Sequence, residues 1–301
     1  MTQNENQLRL KRLGIDTQEE YYVYLRKDCP IVRSEGFESQ TRIMAQKGQY
    51  KIVATLNIVH SDILRPGETS LSESAWKALQ AKEGDTLTLY HLPPLVSFSH
   101  VRGKFYGKRF SKIAFKHILR DIYSGNYSKV HIASFLSSCA GDQLDLEEVT
   151  WLTETMVEAG TRMDWPAQNI VDKHSVGGLP GNRTTPIVVS IAAAAGLTIP
   201  KTSSRAITSP AGTADTMETM TPVSLSIAQI KKVVRQEGGC FVWGGAIELS
   251  PVDDLLIKVE RAMDIDSAGQ MVASVLSKKA AAGSQHIVID IPVGATAKVR
   301  S

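Results

Sequence analysis

From about residue 166 onward, short apolar runs alternate with helical stretches, and this alternation constrains the fold more than any other feature. The runs Asn169-Ile-Val171, Leu197-Thr-Ile199, Cys240-Phe-Val-Trp243 and His286-Ile-Val-Ile-Asp-Ile291 read as strands. Pro186 to Ala195 and Ile227 to Glu237 read as the helices between them. Such an order predicts a mostly parallel sheet with crossover helices. A longer helical insertion, Pro251 to Ala282, interrupts it and is long enough to return to an earlier bundle.

Two other stretches precede this one. Residues 1–97 read as a β-rich, barrel-like unit. Tyr50 to Val59 is dense in β-formers and Asp85 to Tyr90 alternates with period two. Between them a short helix is predicted, with Ser70 as N-cap and Glu73 as its capping-box partner. His91-Leu-Pro-Pro94 breaks the chain. Residues 98–165 read as helical. Ile113, Ile118 and Ile122 form one apolar stripe, and Leu146, Val149, Leu152 and Met156 another, capped by Asp145 and Glu148. The predicted organisation is therefore an α/β multidomain chain. It has a barrel-like unit at 1–97, a helical bundle at 98–165 plus 250–284, and an α/β domain at 166–249 plus 285–301. A parallel sheet of this type is expected to continue past Arg300-Ser301, so the chain reads as truncated at its C-terminus.

Composition narrows the function classes. The net charge of +3 over 301 residues gives no case for nucleic acid or an anionic membrane as partner. The three cysteines, Cys29, Cys139 and Cys240, stand far apart, without zinc spacing, and fit a reducing, cytoplasmic setting. The polar N-terminus carries no signal-peptide pattern, and the longest apolar run, Pro186 to Pro200, is too short to span a bilayer.

In open α/β sheets ligands bind beyond the carboxyl ends of the strands. Here each strand leads into a polar, small-residue loop. The first, Asp172 to Pro186, holds three glycines, Lys173 and Ser175. Thr185 before Pro186 reads as an N-cap and N1 pair that opens a helix. A glycine-rich loop running into a helix N-terminus suits an anion. The alternative is a tight turn with a solvated lysine. The second loop, Lys201 to Asp215, packs hydroxyl residues around Arg205, which is placed to bind an anionic group or to pair with Asp215 or Glu218. On the helix Ser267 to Ala282, Ser274 and Lys278 lie four residues apart and share a face. Asp266 at its start is either a cap or, in an apolar cleft, a proton donor.

Taken in order, Lys173-His-Ser-x-Gly-Gly, Ser203-Ser-Arg-Ala-Ile-Thr, Ala211-Gly-Thr-x-Asp-x-Met-Glu218 and Ser274-Val-Leu-Ser-Lys278 closely resemble the signature of the thymidine phosphorylase family. The resemblance runs from about residue 105 to the end. The first unit resembles the N-terminal extension of archaeal AMP phosphorylases, shared by long bacterial members. The resemblance implies a nucleoside phosphorylase/phosphoribosyltransferase-like fold and reversible phosphorolysis of a nucleoside. It implies Lys173, Ser175, Ser203 and Thr213 around phosphate, with a hydroxyl from Thr184 or Thr185. It places His174, Ser274 and Lys278 at the base. The AMP phosphorylase pattern implies a nucleotide site lined by Gly178, Ser204, Arg205, Ala206, Ile207, Thr208, Ser209, Thr213, Ser274 and Lys298, with Asp266 as proton donor. No cofactor or metal is implied; inorganic phosphate is the co-substrate and the assembly is expected to be a homodimer or larger homo-oligomer. One departure stands out. Where ordinary thymidine phosphorylases carry an arginine fifteen residues before the substrate serine, this chain has Val259. That departure, with Pro180-Gly-Asn182, leans toward the AMP phosphorylase branch. An anthranilate phosphoribosyltransferase-like enzyme and a non-catalytic fragment remain as alternatives.

Overall fold

A computed structural model describes residues 7–18, 20–166, 169–177, 183–205, 211–265, 267–295, 297 and 299. The chain divides into two compact units, Met1–Val96 and Ser97–Ser301.

The first unit contains β1 (Gln7–Leu10), β2 (Tyr22–Arg26), α1 (Pro30–Ser34), β3 (Arg42–Lys47), β4 (Tyr50–Val59), β5 (Glu68–Leu71), α2 (Glu73–Ala78) and β6 (Thr86–His91). Its strands close into a barrel of order β1-β5-β2-β4-β3-β6, in which β6 returns to β1. Two pairings, β1 with β5 and β2 with β4, are parallel and the rest antiparallel. Alternation explains the interior. Along β4 the side chains of Ile52, Ala54 and Leu56 point inward, as period two requires. They meet Leu25, Ile43, Leu87 and Leu89 in one apolar core. The expected helix is present, but its N-cap is Ser72. Ser70 lies in β5, buried in the barrel.

The second unit begins with α3 (Phe98–Phe105), α4 (Lys112–Tyr123), α5 (Lys129–Cys139) and α6 (Leu146–Glu158). The stripes predict most of their buried faces, with two exceptions. Ile113 and Leu146 are exposed, because each sits in the first turn before the helix reaches its neighbours; Phe115 takes the inward position instead. Asp145 caps α6 through the Glu148 amide at 2.9 Å, and Glu148 answers by accepting from the Asp145 amide at 3.1 Å. Glu148 is also buried, taking Lys104 Nζ at 2.6 Å and the Phe110 amide at 2.7 Å.

Then follow β7 (Val171–Ser175), α7 (Thr184–Ala194), β8 (Ile199–Ser203), α8 (Thr213–Glu218), α9 (Ile227–Glu237), β9 (Gly239–Trp243), α10 (Pro251–Met263), α11 (Ala268–Ala281) and β10 (His286–Asp290). All strand pairs described here are parallel: β10 with β7, β8 with β9, and a single bridge from Ile170 to Thr198 between them. The predicted strands at 169–171 and 197–199 run on further than expected. Lys173, His174, Ser175 and Lys201 to Ser203 are strand residues, where the sequence reads as loop. The ladder hydrogen bonds to neighbouring strands outweigh the weak strand propensity of these polar residues. α7 likewise starts earlier, at Thr184. Arg183 is its N-cap, and Thr185 lies within the first turn. The α10–α11 pair packs back on the bundle. Ser267 Oγ donates to Cys139 O at 3.0 Å and Gln270 Nε2 to Leu136 O at 3.2 Å, both across to α5. Val259 is buried on α10. Among the described residues no helix is long and apolar enough to cross a membrane.

Candidate functional site

The carboxyl ends of β7 and β8 and one face of α11 meet at a cleft of about 310 Å³, counting space open to solvent. His174, Ser203, Ser204, Gly244, Ser274 and Lys278 are on its walls, joined by Lys279 and Thr202.

Lysines dominate the electrostatics. Lys173 is 6% exposed, Lys201 and Lys279 2% each. Burying an ammonium is costly unless it is paired and hydrogen-bonded, and each of these has partners. Lys173 donates to Asp290 Oδ2 at 2.7 Å, on the neighbouring strand, and to Thr185 Oγ1 at 3.3 Å. Lys279 donates to the carbonyl and hydroxyl of Thr202 at 3.0 and 3.1 Å and lies 2.8 Å from Asp172 Oδ2. Lys201 donates to the Thr202 carbonyl and stands 3.8 Å from Asp172 Oδ1. Two buried amines thus share one buried carboxylate. Burial first, and the neighbouring Lys279 second, push the Lys201 ammonium well below the ordinary lysine range, while Asp172 opposes the shift.

His174 stands amid these charges. Burial, then Lys279, Lys201, Lys278 and Lys173, lower its pKa from 6.5 to about 2. The ring is neutral at any physiological pH, with one N–H to donate and one nitrogen to accept. Beside it, the buried Ser203 hydroxyl has no hydrogen-bond partner among the described residues. A buried polar atom left open on the wall of a cationic cleft is a place for an anionic ligand's oxygen.

Ser274 and Lys278 do share a face, as the i,i+4 spacing predicts, and both reach one residue that the sequence does not mark. Ser274 Oγ donates to Asp253 Oδ2 at 2.9 Å, and Lys278 Nζ pairs with the same oxygen. Asp253 lies in the first turn of α10 and is 2% exposed. Asp172, Lys201, Lys279 and Asp290 also escape sequence reasoning. Charged residues within or beside polar loops read as solvated until the strands bury them.

Arg205 is placed differently from an anion-binding role. Its guanidinium forks onto Glu218 Oε2 and Oε1 at 2.5 and 2.8 Å, reaches Asp215 Oδ1 at 3.3 Å, and lies over the Trp243 ring at 4.8 Å. The salt-bridge alternative for Arg205 is the one the structure takes. Thr213 opens α8, Ser175 ends β7, and Thr184 is exposed on α7. Thr213, Ser175, Thr184, Lys173, Thr185 and Arg205 are not on the walls of the cleft described above. Gly178, Ala206, Ile207, Thr208, Ser209, Asp266 and Lys298, with Pro180-Gly-Asn182, lie outside the described residues.

Residues 100–160 fit the helical bundle domain of a glycosyl transferase family and residues 167–301 its a/b domain. A protein from Polaromonas sp. (strain JS666) named "putative thymidine phosphorylase" is 57% identical over 98% of this chain, which covers 58% of that protein. Proteins of similar name from Acidovorax sp. (strain JS42) and Legionella pneumophila (strain Paris) are 56% and 57% identical over 98% and 99% of the chain, again covering 58% of each. The chain therefore spans a little under three-fifths of the length of these relatives. Among solved structures, anthranilate phosphoribosyltransferase from Thermus thermophilus is similar in fold. Its TM-score is 0.52 at 18% identity, covering 64% of this chain and 57% of that one. Because the two domain matches together take in most of its length, the chain belongs to that glycosyl transferase family, and along nearly all of its residues it is similar to proteins named putative thymidine phosphorylase.

Proposed function

We propose that the protein is a pentosyltransferase that cleaves a nucleoside N-glycosidic bond with inorganic phosphate, in the manner thymidine + phosphate = thymine + 2-deoxyribose 1-phosphate. The observation that carries this reading is the open Ser203 hydroxyl on a cleft faced by buried lysines. Phosphate is the co-substrate, and the reading calls on no metal.

On this reading Lys173, Ser175, Ser203 and Thr213, with a hydroxyl of Thr184 or Thr185, hold the phosphate behind the anomeric carbon. For that, Lys173 exchanges its Asp290 contact for the incoming anion. A phosphate oxygen forms the new bond to C1′ while the C1′–N bond breaks and its electrons pass to the base. Holding the two reactants in line is worth up to ~7–11 kcal/mol. The leaving base needs its charge relieved. Neutral His174 donates its single N–H there, and Asp266 supplies the proton. General acid catalysis of this kind contributes roughly 10²–10⁴-fold. Ser274 and Lys278 hold the base edge. We take the protein to act in the cytoplasm as a homodimer, with sites shared between its helical and α/β parts.

A second reading, AMP phosphorylase, is favoured by Val259. An apolar side chain buried on α10 leaves no guanidinium at that position for a pyrimidine. Phosphate-dependent release of base from thymidine, uridine and AMP decides between them. Lys173→Ala is expected to abolish that release. Near-normal turnover by this variant sinks the phosphate assignment, and release of adenine alone transfers the reading to AMP.

A further inference from the structure

The cleft's base end carries a feature that neither the sequence motifs nor the family resemblance assigns: one buried carboxylate oxygen that takes two of the polar side chains there, Ser274 and Lys278. Asp253 Oδ2 accepts from Ser274 Oγ at 2.9 Å and pairs with Lys278 Nζ. A hydroxyl has one proton. Once it points at Asp253, only lone pairs of Ser274 remain for a ligand. An ammonium has three protons and no acceptor, so Lys278 keeps donors to offer. Both groups are fixed as well as polarised. Lys278 is 12% exposed at its side chain and Asp253 2%. The start of α11 is pinned to α5 through Ser267 and Gln270.

We propose that Asp253 is a positioning residue that sets the hydrogen-bond pattern of the base site. It makes Ser274 an acceptor and Lys278 a donor, so that the site selects heterocycles presenting an N–H next to a carbonyl or ring-nitrogen acceptor. This inference rests on the reading of Ser274 and Lys278 as base contacts. It goes beyond that reading by naming what orients them and what edge they choose. An edge with two acceptors leaves a lone pair of Ser274 facing a lone pair of the ligand, and a bare ring edge leaves it without a donor.

Methylating the ring N–H of uridine removes the donor and keeps the rest of the substrate. The unaltered protein is expected to prefer uridine to N3-methyluridine by at least about tenfold in kcat/KM with phosphate, the loss expected when a buried polar group is left unpaired. Should AMP be the better substrate, its N6,N6-dimethyl derivative takes the same part. Asp253→Leu frees the Ser274 proton and is expected to narrow that preference at least about fivefold, with the KM for phosphate staying within about twofold. If the lone buried ammonium prevents folding, Asp253→Leu with Lys278→Met leaves no unpaired charge and keeps the ratio measurable. A strut that merely fastened α10 to α11 would weaken both substrates alike, and an unchanged ratio overturns the inference. Equal use of uridine and N3-methyluridine by the unaltered protein also overturns it while leaving phosphorolysis standing. No phosphate-dependent base release from any nucleoside or nucleotide removes the phosphorolysis reading itself, and the inference with it.

Discussion

Replacing Asp172 by asparagine should be the most damaging change in the buried cluster beneath the cleft, although it is the least drastic in shape. Asp172 is 3% exposed and is the counter-charge for Lys279 at 2.8 Å, with Lys201 at 3.8 Å. Removing one partner of a buried pair typically costs about 3–5 kcal/mol, because the other charge is left without compensation. Asp172→Asn is expected to fall in that range. Lys279→Met should cost less, roughly 1–3 kcal/mol, since Lys201 is close enough to take a proton and pair with Asp172. Lys201→Met should cost about 1 kcal/mol or less. Burial already disfavours its charge, and what is lost is one hydrogen bond to the Thr202 carbonyl. The double variant Asp172→Asn with Lys279→Met removes both charges and should be less damaged than Asp172→Asn alone. Urea unfolding measures all four. The signal comes from Trp151, Trp165 and Trp243 of the second unit, in a Trp76→Phe background that silences the barrel. If Lys201→Met proves the worst of the single variants, or the double variant equals the sum of its parts, the shared-carboxylate account is wrong.

Acidity gives a second check. His174 has a folded pKa of about 2, below its value of 6.5 in an unfolded chain. The unfolded state therefore binds the extra proton as pH falls through 6.5. Stability is complete above that pH and drops by up to about 2 kcal/mol between pH 7 and pH 5. His174→Asn should flatten that part of the slope, and urea midpoints at the two pH values report it; equal slopes in both proteins remove the buried neutral histidine. A third check is steric. A Cβ at Gly160 would sit 2.1 Å from the Leu249 carbonyl oxygen, so Gly160→Ala should cost more than about 2 kcal/mol. At Gly141, with φ +60° and open space, an alanine should cost only about 1 kcal/mol. Thermal midpoints that rank the two glycines in the opposite order refute the packing at Leu249.

The architecture is legible in the sequence where local rules act. The N-cap of α6, the bounds of β4 and α9, and the parallel pairs of the second unit follow from capping and periodicity. The site is less legible. His174, Ser203, Ser274 and Lys278 lie in short motifs and can be read directly. Asp172, Asp253, Asp290, Lys201 and Lys279 cannot, because their significance is burial and pairing over long separations. Lys279 and Thr202 are 77 residues apart, and Lys173 and Asp290 are 117. The strand residues Lys173 to Ser175 read as loop for a related reason. Their ladder partner, β10, lies far along the chain, and no local signal reports it.

The barrel's strand order has a consequence for synthesis. β1 leaves the ribosome first, yet its neighbours are the last two strands of the unit, from Glu68 to His91. At about 5–20 residues per second, the roughly 60 residues from β1 to the first of these neighbours take on the order of 3–12 s to emerge. Through that interval Leu8 and Leu10, destined for the core, have no strand beside them. The first unit cannot close until its final strand is made, so its folding rate in the cell is bounded by elongation, and slowing translation lengthens the exposure of its first strand.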